Sequence, residues 1–419
     1  YIVSSTGKTQ VTIDGVTYTG TPVTTLAGAG AVAGDTIYIA DGENLSANGK
    51  TTLSGVTIIG GENTIISNNA TNANGAVLQT SGTMQLSGMT FYNNRNSKNN
   101  GTGSAILNSG TLTVNNVTFD SNHAKGDGFA MQVTGSVGNV SISDSSFIGN
   151  YSDAVTENVG ALSINSAATA IVSNTYFANN THGAIAVKSS AAVGATVSGC
   201  TFATAADTIY NSGTLHFSGT NTINASIINE GSIKFLDGAG VVFSGSETAD
   251  LSGLDLSKVN ISISADVLTG NEAFTIYSNV TLAENQQISV GNGKYTVNED
   301  IFYINNSKYS FIYENSSLSF TKNAAAIGIV SINGDVDSLV FQGNQVSGTA
   351  YSTLKTAYDA GCQDIIIAND TVLDAHGSLK TTAEITIAGS TNSVIANNVI
   401  SGSGALQNGG VLQLSGVTF

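Results

Sequence analysis

Four carboxylates, Asp120, Asp127, Asp144 and Asp153, fall in successive polar loops of this 419-residue chain. Carboxylates at a set separation could act as acid and base in glycan hydrolysis, and beside a bound calcium and a basic residue they could support lyase chemistry. These four share no position relative to the repeating pattern described below, so they read as solvated loop acids. The histidines, His123, His182, His216 and His376, also stand at unrelated points and lack a carboxylate pair, which makes them surface or edge residues rather than bases or ligands. Cys200 and Cys362 have no zinc spacing, and Cys200 takes a position held elsewhere by Met89, Val117 and Val417, that of an apolar filler. No phosphate loop, nucleophile elbow or calcium-binding nonapeptide is present. The expectation is therefore a non-catalytic chain without cofactor, weak surface binding of Ca2+ aside. One segment is a positive candidate for binding: 93–102, NNRNSKNNGT, with Asn93, the only arginine (Arg95) and Lys98. Tryptophan is absent, which leaves Tyr92 and Tyr151 as platforms on which a sugar could stack.

What must position those residues is a repeat. The stretch Gly103–Asn122, GSAILNSGTLTVNNVTFDSN, recurs with phenylalanines at Phe91, Phe119, Phe147, Phe177 and Phe202, giving steps of 28, 28, 30 and 25 residues. Five residues before each aromatic stand Leu86, Val114, Ile142, Val172 and Val197, all apolar. Between lies a pair of turn formers, Ser87-Gly88, Asn115-Asn116, Ser143-Asp144, Ser173-Asn174 and Ser198-Gly199, so a period-2 strand turns a corner and resumes. Three residues after the aromatic come Asn94, Asn122, Asn150 and Asn180, with Ala205 breaking the series. Asparagine tolerates left-handed backbone angles and its amide can bond the same amide one repeat away, so a corner ladder is expected there. A glycine opens each copy, as at Gly75, Gly103, Gly128, Gly160 and Gly183, where no Cβ would fit. A single copy buries nothing, and stacking supplies the core. The pattern predicts an all-β fold, a right-handed parallel β-helix with neighbouring strands about 4.8 Å apart.

Composition agrees with a solenoid and excludes some partners. Charged residues are only 10% while hydrophobic ones reach 41%, so Asn, Ser, Thr and Gly form the polar half of the alternation and the chain is not of the disordered class. A net charge of -16 argues against nucleic acid, which selects for clustered cations. No apolar stretch spans a membrane and no leader sequence is recognisable.

Residues 1–91 recur as 329–419: IVSS at Ile2 meets IVSI at Ile329, and GDTIYIADGENL at Gly34 meets CQDIIIANDTVL at Cys362. The offset of about 328 residues predicts tandem units of that length. Residues 1–20 then read as a short β linker ending a preceding unit, 21–205 as the parallel β-helix, 206–328 as shorter coils or a β-rich closing region, and 329–419 as the opening of the next unit. That opening includes a capping helix in TAYSTLKTAYDAG from Thr349, whose counterpart TPVTTLAGAGAVAG is a poorer helix former. Beginning mid-pattern at Tyr1 and stopping at Phe419 on a core aromatic, the chain reads as a piece of a longer array.

The pairing of G-x-A-aliphatic with F-x-x-N resembles the GGA[ILV] and FxxN repeats of chlamydial polymorphic outer membrane proteins, and is equally similar to β-helical adhesin-like proteins of gut methanogens and bacteria. The likeness covers about residues 20–205 and 349–419, and single glycines often replace the paired ones, as in Asn74-Gly75 and Val159-Gly160. The resemblance implies an exported, extracellular protein displayed by an autotransporter barrel or wall anchor, adhering to host-cell or matrix glycan or protein. Two rival expectations come from other classes: a polysaccharide lyase or hydrolase, since β-helices house both, and a self-assembling filament or sheath subunit joined to like chains end to end.

Overall fold

The computed structural model describes all residues except 47–49, 72–74, 99–102, 136–137, 154–157, 166–167, 189–193, 299–300, 305–306, 324–326, 375–378, 383 and 397–403. The described chain is mostly β-strand in long parallel sheets. It divides into two compact units, Tyr1–Asn260 with Tyr277–Thr281, and Ile261–Ile276 with Leu282–Phe419.

In the first unit each repeat pairs with the next in register. Thr83–Tyr92 lies parallel to Thr111–Asp120, and Thr111–Asp120 to Asn139–Ser143 and Ser146–Ile148. The pairing aligns Leu86 with Val114, Ile142, Val172 and Val197. It likewise aligns Phe91 with Phe119, Phe147, Phe177 and Phe202. Alternation sends these residues to one face, where all ten are buried. The phenylalanine rings stack, with centroids 5.4, 4.6, 5.1 and 5.0 Å apart and near-parallel planes. Each buried ring contributes about 1.5–3 kcal/mol of transfer free energy.

A second parallel ladder runs through Leu78–Ser81, Ile106–Asn108, Met131–Val133, Leu162–Ile164 and Ile185–Val187. A third, only two residues wide, joins Ala70–Thr71, Arg95–Asn96, His123–Ala124 and Tyr151–Ser152. The corner before Phe is left-handed at its second residue in every repeat: Gly88, Asn116, Asp144, Asn174 and Gly199 have φ of 71°, 52°, 51°, 47° and 64°. Glycine, asparagine and aspartate are the residues that accept this geometry at small cost, which explains the turn pair. Gly103 and Gly128 open their repeats with φ near 60°, and a Cβ on either would come within 2.7 Å of a carbonyl oxygen.

Beyond Phe202 the parallel ladders continue with shorter steps, Phe202 pairing with Ile223 and Leu215 with Ile233. Asn211 and Asn229 each accept the amide of the glycine two residues on, a turn that Asn108 also makes.

The second unit mixes modes. Ile301–Ile304, Ser307–Glu314 and Ser317–Asn323 form an antiparallel meander whose buried Phe302, Tyr309, Phe311 and Phe320 rings pack on one another. Ile327–Val330 then opens a parallel ladder with Thr349–Tyr351 and Asp364–Ile367, which continues through Ile385–Gly389 and Leu412–Ser415. The first unit opens the same way, Ile2–Val3 pairing with Pro22–Val23 and Thr36–Ile39. Both openings carry a hairpin, Gln10–Ile13 with Val16–Thr19 and Ser338–Phe341 with Asn344–Ser347. The helix Leu354–Asp359 is capped by the Thr353 hydroxyl, whereas the glycine-rich counterpart makes only the 3-10 turn Ala27–Ala29. In the second unit Lys308 Nζ reaches the fully buried Asp364 Oδ1 at 2.6 Å and anchors the meander to the ladder.

Candidate functional site

The segment after each aromatic turns a second corner, and its residues alternate between inside and outside. Tyr92, Asp120 and Ile148 share one register position of the first ladder. Asn93, Ser121 and Gly149 come next and are left-handed, with φ of 49°, 55° and 60°. Asn94, Asn122 and Asn150 follow, fully buried, and then Arg95, His123 and Tyr151 pair side by side in the two-residue ladder. The expectation of left-handed angles at Asn94, Asn122, Asn150 and Asn180 is corrected: the residue before each, Asn93, Ser121, Gly149 and Asn179, makes the turn. The inward asparagine is free to use its amide instead.

That amide forms an unbroken chain. Asn69 Nδ2 donates to Asn94 Oδ1, Asn94 to Asn122, Asn122 to Asn150 and Asn150 to Asn180, at 2.9–3.0 Å. Each Nδ2 from Asn94 onward gives its other hydrogen to a carbonyl, those of Ile66, Phe91, Phe119 and Phe147. Each Oδ1 also accepts a backbone N–H. Every polar atom of the buried file is satisfied, so desolvation is offset and the corner is rigid. Asn69 and the terminal acceptor Asp207 were not among the expected ladder residues. Asn69 follows Ile66, which occupies the phenylalanine position, so an I-x-x-N spacing signals it; Asp207 lies outside any F-x-x-N spacing.

His123 is 2% exposed although its strand position faces outward. Its ring stacks on Tyr151 with centroids 4.3 Å apart, and Nε2 stands 3.0 Å from Asp153 Oδ2. Nδ1 has no hydrogen-bond partner among the described residues. Burial holds the imidazole below its ordinary value of 6.5; Asp153 opposes this, while Arg95 and Lys125 add to it. Tyr151 remains 38% exposed, and Arg95 is exposed with no ion pair among the described residues. Asn93 donates to Asn68 Oδ1 at 2.7 Å, and Lys98, three residues past Arg95, is half-buried. The expected binding residues Asn93, Arg95 and Lys98 thus lie along this corner, while 99–102 fall outside the described residues.

The four loop acids are dispersed among separate roles. Asp120 accepts from Ser121, and Asp144 accepts from Asn115 and Asn174 in the first corner. Asp127 accepts from Ser163 at 2.7 Å and faces Lys188 Nζ at 3.3 Å, and Asp153 faces His123. His182 is exposed and His216 half-buried, and His376 lies outside the described residues. Cys200 is buried, which pushes its thiol up to about 11, and Cys362 is also buried. Among the described residues no three His, Cys, Asp or Glu side chains group as metal ligands, and no helix is long and apolar enough to cross a membrane. A polar groove of about 800 Å3 runs between the hairpin tip at Asp14 and the first corner at Asn116, with Asp41 and Glu62 exposed on its walls.

No protein-family model, curated protein or solved structure matches the chain. What the corner offers chemically is therefore read from its own groups: a guanidinium with five donors, a half-exposed phenol ring fixed by stacking, and a carboxylate able to accept from a hydroxyl.

Proposed function

We propose that this chain is an extracellular, non-catalytic, adhesin-like or stalk protein whose parallel ladders wind as a right-handed β-helix, in tandem units of about 328 residues. The observation that carries the reading is the fixed register of the ladders together with the unbroken Asn69–Asn180 amide chain. Each repeat roofs its neighbour, and the outward residues of one corner come to lie at strand spacing along a rigid edge. At about 4.8 Å per repeat such a body holds outward loops away from a surface, which suits presentation rather than turnover. The dispersal of Asp120, Asp127, Asp144 and Asp153 among hydrogen bonds and ion pairs weighs against an acid-base pair. The partners that suit it are glycans or proteins of a host cell or matrix.

The test is retention of the purified chain on mucin-coated surfaces and cultured epithelial cells, with electron microscopy of the same sample and a parallel screen on uronate and neutral glycan polymers with and without calcium. Retention by a dispersed, catalytically silent protein is the expected result. Turnover of a polymer, or ordered fibres without retention, would overturn the reading in favour of an enzyme or a filament subunit.

A further inference from the structure

The two-residue ladder brings three unlike side chains into one outward column: Arg95, His123 and Tyr151, joined by the pairs Arg95 to His123 and His123 to Tyr151. Strand spacing puts Arg95 and Tyr151 about 10 Å apart, roughly the span of a disaccharide. The middle member does not face solvent. His123 is 2% exposed, stacked on Tyr151 and set 3.0 Å from Asp153, so it fixes the Tyr151 ring and costs burial to do so. The outer members are open: Tyr151 is 38% exposed, and Arg95 is exposed and makes no ion pair among the described residues. A stacking ring locked in one orientation and the only guanidinium of a chain with net charge -16 therefore share one rigid edge.

We infer that this column is a binding site for an acidic saccharide, with Arg95 gripping a carboxylate or sulfate and the exposed edge of the Tyr151 ring, whose face toward Arg95 is covered by His123, packing against the adjoining sugar. Guanidinium groups take planar and tetrahedral oxyanions in bidentate fashion, and the edge of an aromatic ring offers apolar surface to sugar C–H groups. Asp153, with its side chain half exposed, accepts from a sugar hydroxyl while its other contact holds His123. Lys125, two residues past His123, adds a second positive charge on the same edge. The net acidity of the chain does not forbid an anionic ligand: at physiological ionic strength charges beyond about 8 Å are screened, so the local field is that of Arg95 and Lys125 opposed by Asp153. The inference deepens the adhesin reading by naming the ligand chemistry of its corner, and it is tested without cells.

The experiment is calorimetric titration of the full chain with a heparin-derived tetrasaccharide, an oligogalacturonate of equal length and a neutral maltotetraose. Binding of at least one acidic oligomer over the neutral one is expected, weakening steeply with salt; which oligomer binds separates a sulfated from a carboxylated ligand. Arg95→Ala lowers that affinity at least about tenfold, the worth of one charge-assisted contact, and Arg95→Lys restores only part of it. Tyr151→Ala also weakens binding, while Tyr151→Phe keeps the ring and the affinity. Both sites are exposed, and unchanged circular dichroism and melting certify the folds. Failure of both acidic oligomers to bind, equal binding of the neutral one, or full affinity in Arg95→Ala would overturn the inference. Cell retention with no oligosaccharide binding would overturn this site alone and leave the adhesin reading standing.

Discussion

The side-chain amide of Asn180 donates to Oδ1 of Asp207 across 2.8 Å, with both residues fully buried. Asp207 also accepts the backbone amides of Asn179, Asn180 and Thr204 and the Thr204 hydroxyl. Each asparagine from Asn94 to Asn180 accepts from one neighbour and donates to the next, whereas both oxygens of Asp207 accept, so the chain of amides ends here. The parallel repeats shorten from this point, Leu215 pairing with Ile233 after a step of 18 residues.

Removing that acceptor is therefore expected to be far worse than neutralising it. Asp207→Ala strands several buried donors at about 1–3 kcal/mol each, whereas Asp207→Asn keeps one oxygen in place. Urea denaturation followed by circular dichroism reads both, and equal midpoints for the two variants would contradict the assignment of Asp207 as terminus.

Phe147 lies between Phe119 and Phe177, at 4.6 and 5.1 Å, in the middle of the ring file. Phe147→Ala opens a cavity with neighbours on both sides and is expected to cost about 3–5 kcal/mol, with Phe147→Leu costing less than half as much. Hydrogen exchange should show loss of protection spreading to the repeats of Phe119 and Phe177; protection lost at 147 alone would mean that the repeats do not support one another.

At Asn116 the backbone is left-handed, φ 52°, where the neighbouring repeats have Gly88 and Asp144. Asn116→Gly should be close to neutral. Asn116→Val should lose about 1–2 kcal/mol to the clash of a branched Cβ in that region. Thermal melts of the pair decide the matter, and a stable valine variant would show that the corner is not held in this geometry.

His123 binds fewer protons in the folded state than in the unfolded chain, because burial holds it below 6.5. Between the depressed value and 6.5 the unfolded state carries the extra proton, so stability is full above about pH 6.5 and falls as the pH drops through that window. Asp153 across the ring opposes the loss and Arg95 and Lys125 add to it. Melting temperature measured from about pH 8 to about pH 5 should decline less steeply in His123→Phe, which keeps the stack on Tyr151 but cannot titrate. Identical profiles would mean that His123 is not the titrating group.

The amino-acid sequence alone determines the inward half of this protein. Leu86, Val114, Ile142 and Val172, the phenylalanines five residues later and the asparagines after them recur at matching offsets, because a side chain facing a shared core must suit the same neighbours in every repeat. The turn pairs are legible for a related reason, since few residues tolerate a left-handed corner. Tertiary structure decides what such columns do not constrain. Asp207 replaces the asparagine missing at Ala205 only because the tight turn from Thr204 brings its carboxylate against the Asn180 amide. Arg95, His123 and Tyr151 each directly follow the asparagine of an F-x-x-N, so spacing places them in one column, but their types differ because solvent places no common demand on outward positions; only the tertiary structure decides that His123 buries itself against Tyr151 while Arg95 stays open.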